Sequence, residues 1–320
     1  MVPGLSSRYN RAIIQSALPK YNGTKRLLLK KINDIKLSYM NNTILHYLKK
    51  IYLKIWSKLN SYKGNVHLDS ESSILKKIPF SAEKIYMRPT KSDCGRIVEF
   101  NNSIYFQNNF LDQKLKEKSP SVLIDLGANI GTASLSIIKE FKSIKKVIGV
   151  EAEQFNYKIL KNNYLLWEEK FKSINFYSIF AAASSEDGIS FNSNFALSNT
   201  NSEYTASGTF IFNPDRDSTN NSSNIDSVDS VSLDYIINKY CGNEKIICKI
   251  DIEGGEKDLF QKNNKWLKNI AFIAIEVHDR FDIQLIDSSK NLLNILQEYD
   301  FAIVPGKDIL YCYSRKILFD

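Results

Sequence analysis

The sequence predicts an α/β fold built on a seven-stranded, mainly parallel sheet, and three features of its pattern lead to this prediction. A short apolar run, Val122 to Leu126, reads as a buried strand. It is followed at once by a turn that holds Gly127 and Gly131, and a helix-like stretch begins at about Thr132. Apolar runs and helix-like stretches then alternate, and two final apolar runs within 301–313 predict an antiparallel hairpin.

The elements follow in chain order from this pattern. Two strands are predicted upstream of the glycine turn, at Lys84–Arg88 and Ile97–Phe100. The parallel strands are predicted at 122–126, 146–151, 174–180, 246–251 and 271–277, with helices that include 132–142 and 288–299, and the hairpin strands at 301–304 and 310–313. Residues 192–226 are rich in Asn, Ser, Thr and Asp, so they are expected to be disordered or to form a lid.

The N-terminal part is predicted to be a basic helical extension over 1–83, followed by the sheet domain over 84–320. Its helices are expected at 24–39 and 42–61, and the second has an apolar stripe with lysines at other positions. The apolar residues of this stripe are Ile44, Leu48, Ile51, Tyr52, Ile55 and Leu59. Two interpretations stay open: a cap that packs on the domain, or a surface that docks on an anionic membrane or a glycolipid precursor.

Composition and charge exclude several classes of protein. The chain has 320 residues, 43% of them apolar, which is enough for one sizeable core. Residues 1–65 hold thirteen Lys/Arg and one acid, whereas the rest holds 30 basic and 34 acidic residues, so a nucleic-acid groove around the sheet is not expected. Apolar runs are too short for a transmembrane span, no signal-peptide pattern is present, and the four cysteines lack metal or redox spacing. We therefore expect a cytoplasmic protein, with membrane association through the N-terminal helices as the open alternative.

The glycine turn and its neighbouring acids predict a nucleotide-like ligand. A strand, a glycine turn and a helix N-terminus form a cradle that such ligands use. Asp125 precedes the glycines and would repel a pyrophosphate, so it favours a ligand with a cationic amino group, such as S-adenosylmethionine. Glu151 ends the next strand, 24 residues after Gly127, where a carboxylate can bind a ribose diol.

Acidic residues and a histidine end the fourth and fifth parallel strands, which should flank the cofactor turn. Asp251 ends the fourth strand and is followed by Glu253 and Glu256. Glu276 and His278 end the fifth, on one face because strand side chains alternate. Asp251 and His278 are the predicted catalytic residues, alone or as a pair that removes a proton. The alternative is that Asp251, Glu276 and His278 hold a divalent cation such as magnesium or manganese.

The same residues resemble the FkbM-type methyltransferases. The matching segments are Ile124–Gly131, Val150–Glu153, Leu160–Asn163, Ala181–Ser184, Ser232–Asp234, Lys249–Glu256 and Ile275–His278, with Arg88–Asp93 upstream. The resemblance covers residues 84–314, and it departs from the family at Glu153 and in the long 192–226 segment. It implies a Rossmann-like class I methyltransferase fold and S-adenosylmethionine as the cofactor.

The resemblance implies O-methylation of a hydroxyl on a sugar, a glycan or a small metabolite. The expected cofactor-binding residues are Asp125, Gly127, Asn129, Gly131, Glu151 and Ala182, with Ala182 near the adenine. One alternative is a non-catalytic module that binds S-adenosylmethionine or docks on membranes. The other is a nicotinamide-dependent oxidoreductase, which Asp125 and the final hairpin disfavour. No nucleic-acid partner is expected, and the sequence does not indicate an oligomeric state.

Overall fold

The computed structural model describes residues 42–61, 73–102, 105–106, 108–192, 227–278 and 286–320. The predicted helix at 24–39 and residues 193–226 of the predicted insertion lie outside the described residues. The described chain divides into two compact units, one with residues 42–61 and 89–98, the other with residues 73–88 and those from 99 onward. The domain boundary after residue 83 stays a prediction.

The described elements follow the predicted alternation of strands and helices. They are α1 (Asn42–Asn60), β1 (Ile74–Lys77), β2 (Lys84–Met87), α2 (Lys91–Asn102), α3 (Asn109–Glu117), β3 (Val122–Leu126), α4 (Thr132–Glu140), β4 (Lys146–Glu151), α5 (Gln154–Lys170), β5 (Asn175–Phe180), β6 (Ala182–Ser184), β7 (Ser190–Asn192), β8 (Ser227–Ser232), α6 (Leu233–Ile236), β9 (Ile246–Ile250), α7 (Glu256–Leu259), β10 (Ile270–Glu276), α8 (Ile286–Glu298), β11 (Phe301–Pro305), β12 (Ile309–Ser314) and α9 (Arg315–Phe319).

The main sheet has seven strands in the order β11-β12-β10-β9-β3-β4-β5. Strands β10, β9, β3, β4 and β5 are parallel, whereas β12 pairs antiparallel with both β10 and β11. Every residue of β3 and of β9 is buried. Burial on both faces of a parallel sheet explains why these strands read as continuous apolar runs. The predicted α/β fold with a terminal antiparallel hairpin is therefore confirmed.

The strand order reverses between β3 and β9, and this reversal positions the site. The chain goes from β3 outward through β4 to β5, and then continues on the other side of β3 with β9 and β10. In an open α/β sheet, ligands bind outside the carboxyl ends of the strands at such a reversal. The loops that follow β3, β4, β9 and β10 are consequently the ones to examine for chemistry.

Two small sheets accompany the main one, and neither was predicted from the sequence. Strands β1 and β2 form an antiparallel pair. Strands β6, β8 and β7 form a three-stranded sheet in that order. Strands β7 and β8 are joined by residues 193–226, and a single residue, Ala181, separates β6 from the end of β5. The small sheet thus contains the two strands that flank that segment in the sequence.

The predicted strand at Ile97–Phe100 is wrong, because these residues lie in helix α2. The Thr90 hydroxyl accepts a hydrogen bond of 3.1 Å from the backbone N–H of Asp93, which caps the start of this helix. Cys94, Ile97 and Phe100 are buried at every third position, which is a helical spacing. The short apolar run looked like a strand only when it was separated from its cap.

Helix α1 confirms the helix predicted at 42–61, but its buried face differs from the predicted stripe. Leu48, Leu53 and Trp56 are buried, whereas Leu59 of the predicted stripe is 43% exposed. The buried face therefore includes Leu53 and Trp56, which lie outside the predicted stripe. No helix among the described residues combines the length and the apolar character needed to cross a membrane.

Candidate active site

The turn after β3 is held in a left-handed conformation at three of its residues. Backbone φ is 69° at Gly127, 50° at Asn129 and 89° at Gly131. A Cβ on Gly127 would lie 1.8 Å from the carbonyl oxygen of Asp251, so the turn contacts the loop after β9 directly. A Cβ on Gly131 would lie 3.0 Å from both Leu160 and Trp167 of helix α5. The first glycine thus permits contact with the neighbouring loop, and the second permits close helix packing.

Glu151 ends β4 and is hydrogen-bonded to two backbone N–H groups. Its Oε2 accepts from Asn129 of the glycine turn at 2.7 Å, and its Oε1 accepts from Glu153 at 2.9 Å. Burial raises the pKa of Glu151 to about 7, although the two backbone hydrogen bonds oppose this shift. Glu151 is therefore a buried carboxyl group with a fixed orientation beside the turn.

Residues after Glu151 explain the departure from the family pattern at Glu153. The carboxylate of Glu153 caps helix α5 by accepting from the backbone N–H groups of Phe155 and Asn156, at 2.9 and 2.6 Å. The side chain of Asn156 in turn accepts from Arg88 at 2.5 Å. The Glu153 side chain therefore satisfies two N–H groups at the start of helix α5.

Asn163 of helix α5 links the glycine turn to strand β2. Its side-chain amide donates to the carbonyl of Ile130 at 2.8 Å and to the carbonyl of Tyr86 at 3.0 Å. Its oxygen accepts from the backbone N–H of Tyr86 at 2.6 Å. Strand β2 therefore supports the turn from behind, through a residue of the Leu160–Asn163 segment.

Asp125 is fully buried behind the glycine turn rather than facing solvent. Its Oδ2 accepts a hydrogen bond of 2.6 Å from Ser134, whose hydroxyl oxygen lies 2.7 Å from that of Tyr164. Gly149 makes room for this tyrosine, since a Cβ there would lie 2.4 Å from the Tyr164 hydroxyl. A direct contact between Asp125 and a cofactor amino group stays a prediction.

Lys249 connects the turn after β3 to the loop after β9, and it was not among the predicted site residues. It is 4% exposed, and its ammonium donates to the carbonyl oxygens of Gly127 and Leu126 at 2.7 and 3.3 Å. The same ammonium lies 3.3 Å from Oδ1 of Asp125 and 3.5 Å from Oδ2 of Asp251. A lysine inside the apolar run of β9 was the available signal, because a lysine is seldom buried without partners.

His278 lies among carboxylates at the carboxyl ends of β9 and β10. Its Nδ1 lies 2.9 Å from Oε1 of Glu256. Its Nε2 lies 3.5 Å from Glu253, 3.8 Å from Asp251 and 3.8 Å from Glu276. The structure thus brings Asp251, Glu276 and His278 together, and adds Glu253 and Glu256 to the group.

Glu256 fixes both the loop after β9 and the imidazole ring. Its two carboxylate oxygens accept from the backbone N–H groups of Ile252 and Gly254, at 3.3 and 3.1 Å. Burial lowers the pKa of His278, but the hydrogen bond to Glu256 and the charges of Glu253 and Asp251 outweigh burial, so its pKa lies above the usual value. A carboxylate only accepts hydrogen bonds, so Nδ1 carries the hydrogen and Nε2 faces the remaining carboxylates.

Ala182, predicted near the adenine, is a buried residue of β6. The preceding residue, Ala181, donates its backbone N–H to the Glu151 carbonyl at 3.2 Å, which brings Ala182 near the end of β4. The predicted contacts between these residues and a cofactor stay predictions. Chemically, the site offers a rigid carboxyl group at the turn and, beside it, a buried imidazole among carboxylates. Such an arrangement can accept a proton or bind a cation.

The family model of the methyltransferase FkbM domain matches residues 125–303. A search of curated proteins finds no match.

Three solved structures are similar at low sequence identity. Methyltransferase FkbM from Methylobacillus flagellatus KT has a TM-score of 0.42 and 16% identity, over 69% of this chain and 59% of that chain, which is less than two thirds of its length. A methyltransferase from Geobacter sulfurreducens has a TM-score of 0.33 and 13% identity, over 69% of this chain and 86% of that chain. TrmK of M. capricolum, in complex with S-adenosyl-homocysteine, has a TM-score of 0.29 and 9% identity, over 65% of this chain and 69% of that chain.

The family model covers more than half of the 320 residues and includes the glycine turn, Glu151, Asp251 and His278. The chain therefore belongs to the FkbM methyltransferase family, a family of enzymes that depend on S-adenosylmethionine.

Proposed function

We propose that this protein is an O-methyltransferase that acts on a hydroxyl group of a sugar, a glycan or a small metabolite. Family membership supports the cofactor and the methyl transfer. The observation that carries the oxygen acceptor is the position of Asp251 and His278, which lie 3.8 Å apart next to the glycine turn. A hydroxyl group must lose its proton when its oxygen is methylated, and these side chains can take or polarise that proton.

The residues at the ends of β3 and β4 fit S-adenosylmethionine, which supplies an activated methyl group when bound. Glu151 would bind the ribose hydroxyls, because backbone N–H groups already orient both of its oxygens and each oxygen can accept a further hydrogen bond. The turn from Gly127 to Gly131 would contact the cofactor through its backbone, with Asn129 at its centre. Ala182 would lie beside the adenine, where a small side chain leaves space.

The chain's own contribution to the reaction is positioning and proton removal. Alignment of the acceptor oxygen can contribute roughly 7–11 kcal/mol at best, and proton transfer roughly two to four powers of ten in rate. The contact between Gly127 and the Asp251 carbonyl supports this assignment, since it joins the cofactor turn to the loop that carries the proton acceptor. We assign removal of the acceptor proton to Asp251 and His278, directly or through an ion that they hold.

The test is transfer of a labelled methyl group from S-adenosylmethionine to defined hydroxyl acceptors. Nucleotide sugars, oligosaccharides and small polyols should be compared, and product formation checked against release of S-adenosyl-homocysteine. An O-methyl ether keeps its label in mild base, whereas a methyl ester loses it. Label found on nitrogen or carbon, or no calorimetric binding of S-adenosylmethionine, would contradict the proposal. Binding of the cofactor without transfer to any acceptor would favour the non-catalytic alternative.

The basic N-terminal segment adds a second proposal, peripheral contact with an anionic membrane. In support, Lys50, Lys54 and Lys58 of helix α1 are exposed. Co-sedimentation with anionic liposomes should then occur at low salt and be lost at high salt or on deletion of residues 24–62. If deletion lowers the melting temperature and the intact protein does not bind liposomes, the segment is a cap on the domain.

A further inference from the structure

We infer that Asp251, Glu276 and His278 form a binding site for a divalent cation, with Mn²⁺ as the best-matched ion. One donor atom from each of the three residues lies within 4.8 Å of the other two. His278 is 3% exposed, and Asp251 and Glu276 are half-buried. The use of the ion to activate an acceptor hydroxyl depends on the proposed function, whereas the binding of the ion does not.

The distances between the donor atoms suit a shared ion. Two donors that each bind one ion at about 2.1 Å can be at most about 4.2 Å apart. Nε2 of His278 lies 3.8 Å from Oδ1 of Asp251 and 3.8 Å from Oε1 of Glu276. Both pairs are within this limit, and the donor atoms of all three residues lie within 4.8 Å of one another.

The imidazole of His278 is held as metal-bound histidines usually are. Such a histidine donates its second ring N–H to a carboxylate or a carbonyl, which fixes the ring and its tautomer. Here Nδ1 lies 2.9 Å from Glu256, whose carboxylate is itself held by two backbone N–H groups. Nε2 is thereby directed toward Asp251 and Glu276, as a metal ligand would be.

The two carboxylate oxygens of Asp251 face different neighbours, Lys249 and His278. Oδ2 faces the Lys249 ammonium at 3.5 Å, and Oδ1 faces Nε2 of His278 at 3.8 Å. Lys249 also contacts the carbonyl oxygen of Gly127 at 2.7 Å, so its position is fixed by the cofactor turn. One oxygen of Asp251 is thus oriented by a buried cation, and the other is presented to the site.

Charge also favours an ion at this position. Asp251, Glu253, Glu256 and Glu276 all lie within 3.8 Å of a ring nitrogen of His278. Like charges this close repel one another, and the Lys249 ammonium lies beside Asp251 as well as beside Asp125. A divalent cation between them would offset two further charges. It would also remove the repulsion that these carboxylates exert on the alkoxide formed from an acceptor.

The donor types select among the common ions. Carboxylate ligands suit Mg²⁺ and Mn²⁺, an imidazole ligand suits first-row transition metals, and Mn²⁺ belongs to both groups. An ion here would polarise the acceptor hydroxyl and lower its pKa. The proton would then pass to a neighbouring carboxylate such as Glu253, whose Oε2 lies 3.5 Å from Nε2 of His278.

The experiment titrates the purified full chain with Mn²⁺ alone, without cofactor or acceptor, and follows the loss of the free Mn²⁺ signal in electron paramagnetic resonance. We expect one ion per chain. Asp251→Asn, Glu276→Gln and His278→Gln should each weaken binding at least tenfold, and Glu256→Gln should weaken it roughly 10- to 100-fold. Glu117→Gln, an exposed acid paired with Lys114, is the matched control and should leave binding unchanged.

Circular dichroism checks that each variant folds. If the His278→Gln chain does not fold, the Glu276→Gln chain still tests the site, because Glu276 is only half-buried. The inference is overturned if the wild-type chain binds no Mn²⁺ at millimolar concentration, or if folded Asp251→Asn and Glu276→Gln chains bind it as tightly as wild type. O-methylation that persists in chelator, with no Mn²⁺ binding, would overturn the ion site and leave the proposed function standing. Mn²⁺ binding without any methyl transfer would contradict the proposed function and leave the ion site standing.

Discussion

The carboxylate of Glu151 accepts a hydrogen bond of 2.7 Å from the backbone N–H of Asn129 and so ties the end of β4 to the turn after β3. Its other oxygen accepts from Glu153 at the start of α5. One side chain therefore holds two of the loops at the carboxyl edge of the sheet. A ligand that bonds to Glu151 meets a carboxylate whose orientation is already set.

Replacing Glu151 should weaken cofactor binding. Glu151→Ala removes hydrogen bonds to the ribose and should cost about 1.5–3 kcal/mol, measured by calorimetric titration with S-adenosylmethionine. Glu168→Ala, on the exposed side of helix α5, is the control and should bind normally. An unchanged affinity in a folded Glu151→Ala chain would reject the assignment.

The raised pKa of Glu151 predicts a pH dependence of stability. Its pKa is about 7 in the folded protein against 4.5 as the ordinary value, so the folded state binds more protons between these limits. The stabilisation is fully present below pH 4.5 and is lost as pH rises through 7, a change on the order of 3 kcal/mol. Urea unfolding at pH 5 and pH 8 should show a smaller decrease for Glu151→Gln than for wild type. Equal decreases in both proteins would show that another group is responsible.

Loss of the Lys249 ammonium should strongly destabilise the fold. Lys249→Met leaves Asp125 fully buried without this partner, and breaking a buried pair typically costs about 3–5 kcal/mol. Lys146→Met is the matched control on the neighbouring part of the sheet, because its partly exposed pair with Glu244 should be worth about 1 kcal/mol or less. Denaturant unfolding measures both, and similar losses would mean that Lys249 does not hold the two loops.

Asp251→Asn separates catalysis from cofactor binding. The change keeps the shape of the side chain but removes a base and an ion ligand, so turnover should fall about a hundredfold or more. The affinity for S-adenosylmethionine should stay as in wild type. Asp229→Asn, an exposed acid of β8, should leave both quantities unchanged. Full activity of Asp251→Asn on the true acceptor would leave positioning as the source of catalysis.

Alanine at Gly131 should cost more stability than alanine at Gly188. Both glycines have positive φ, 89° and 71°, so each substitution incurs the left-handed penalty of about 1–2 kcal/mol. A Cβ at Gly131 would also lie 3.0 Å from Leu160 and from Trp167, whereas nothing lies within 4 Å of a Cβ at Gly188. Thermal unfolding should therefore show a larger decrease for Gly131→Ala. Equal decreases would mean that helix α5 moves aside at little cost.

Much of the fold could be predicted from the sequence because buried parallel strands leave a clear apolar pattern. Strands β3 and β4 begin and end at the predicted residues. Helix α2 was missed because its run of Ile97 to Phe100 also fits a strand, and the deciding cap is a single hydrogen bond at Thr90. The small sheet around β8 was missed because its strands are short and polar.

Site residues that follow directly after a strand could be predicted from the sequence. Residues whose position depends on the conformation of a loop could not. Asp251 and His278 follow neighbouring strands, so their proximity follows from the strand order. Lys249 faces Asp125 because the two residues are register partners on β9 and β3. The register between two strands cannot be predicted from the sequence of either strand alone. Glu253 lies near His278 because its own backbone has a φ of 52°. This left-handed conformation of a glutamate could not be predicted from the sequence.

The contact between Gly127 and the carbonyl of Asp251 has a consequence for protein engineering. No side chain fits at Gly127 unless the loop after β9 moves, so the two loops form one module of shared shape. Acceptor specificity should therefore be transplanted between family members by exchanging both loops together. A chimera that exchanges one loop alone would place two backbones of different origin at the tightest point of the site.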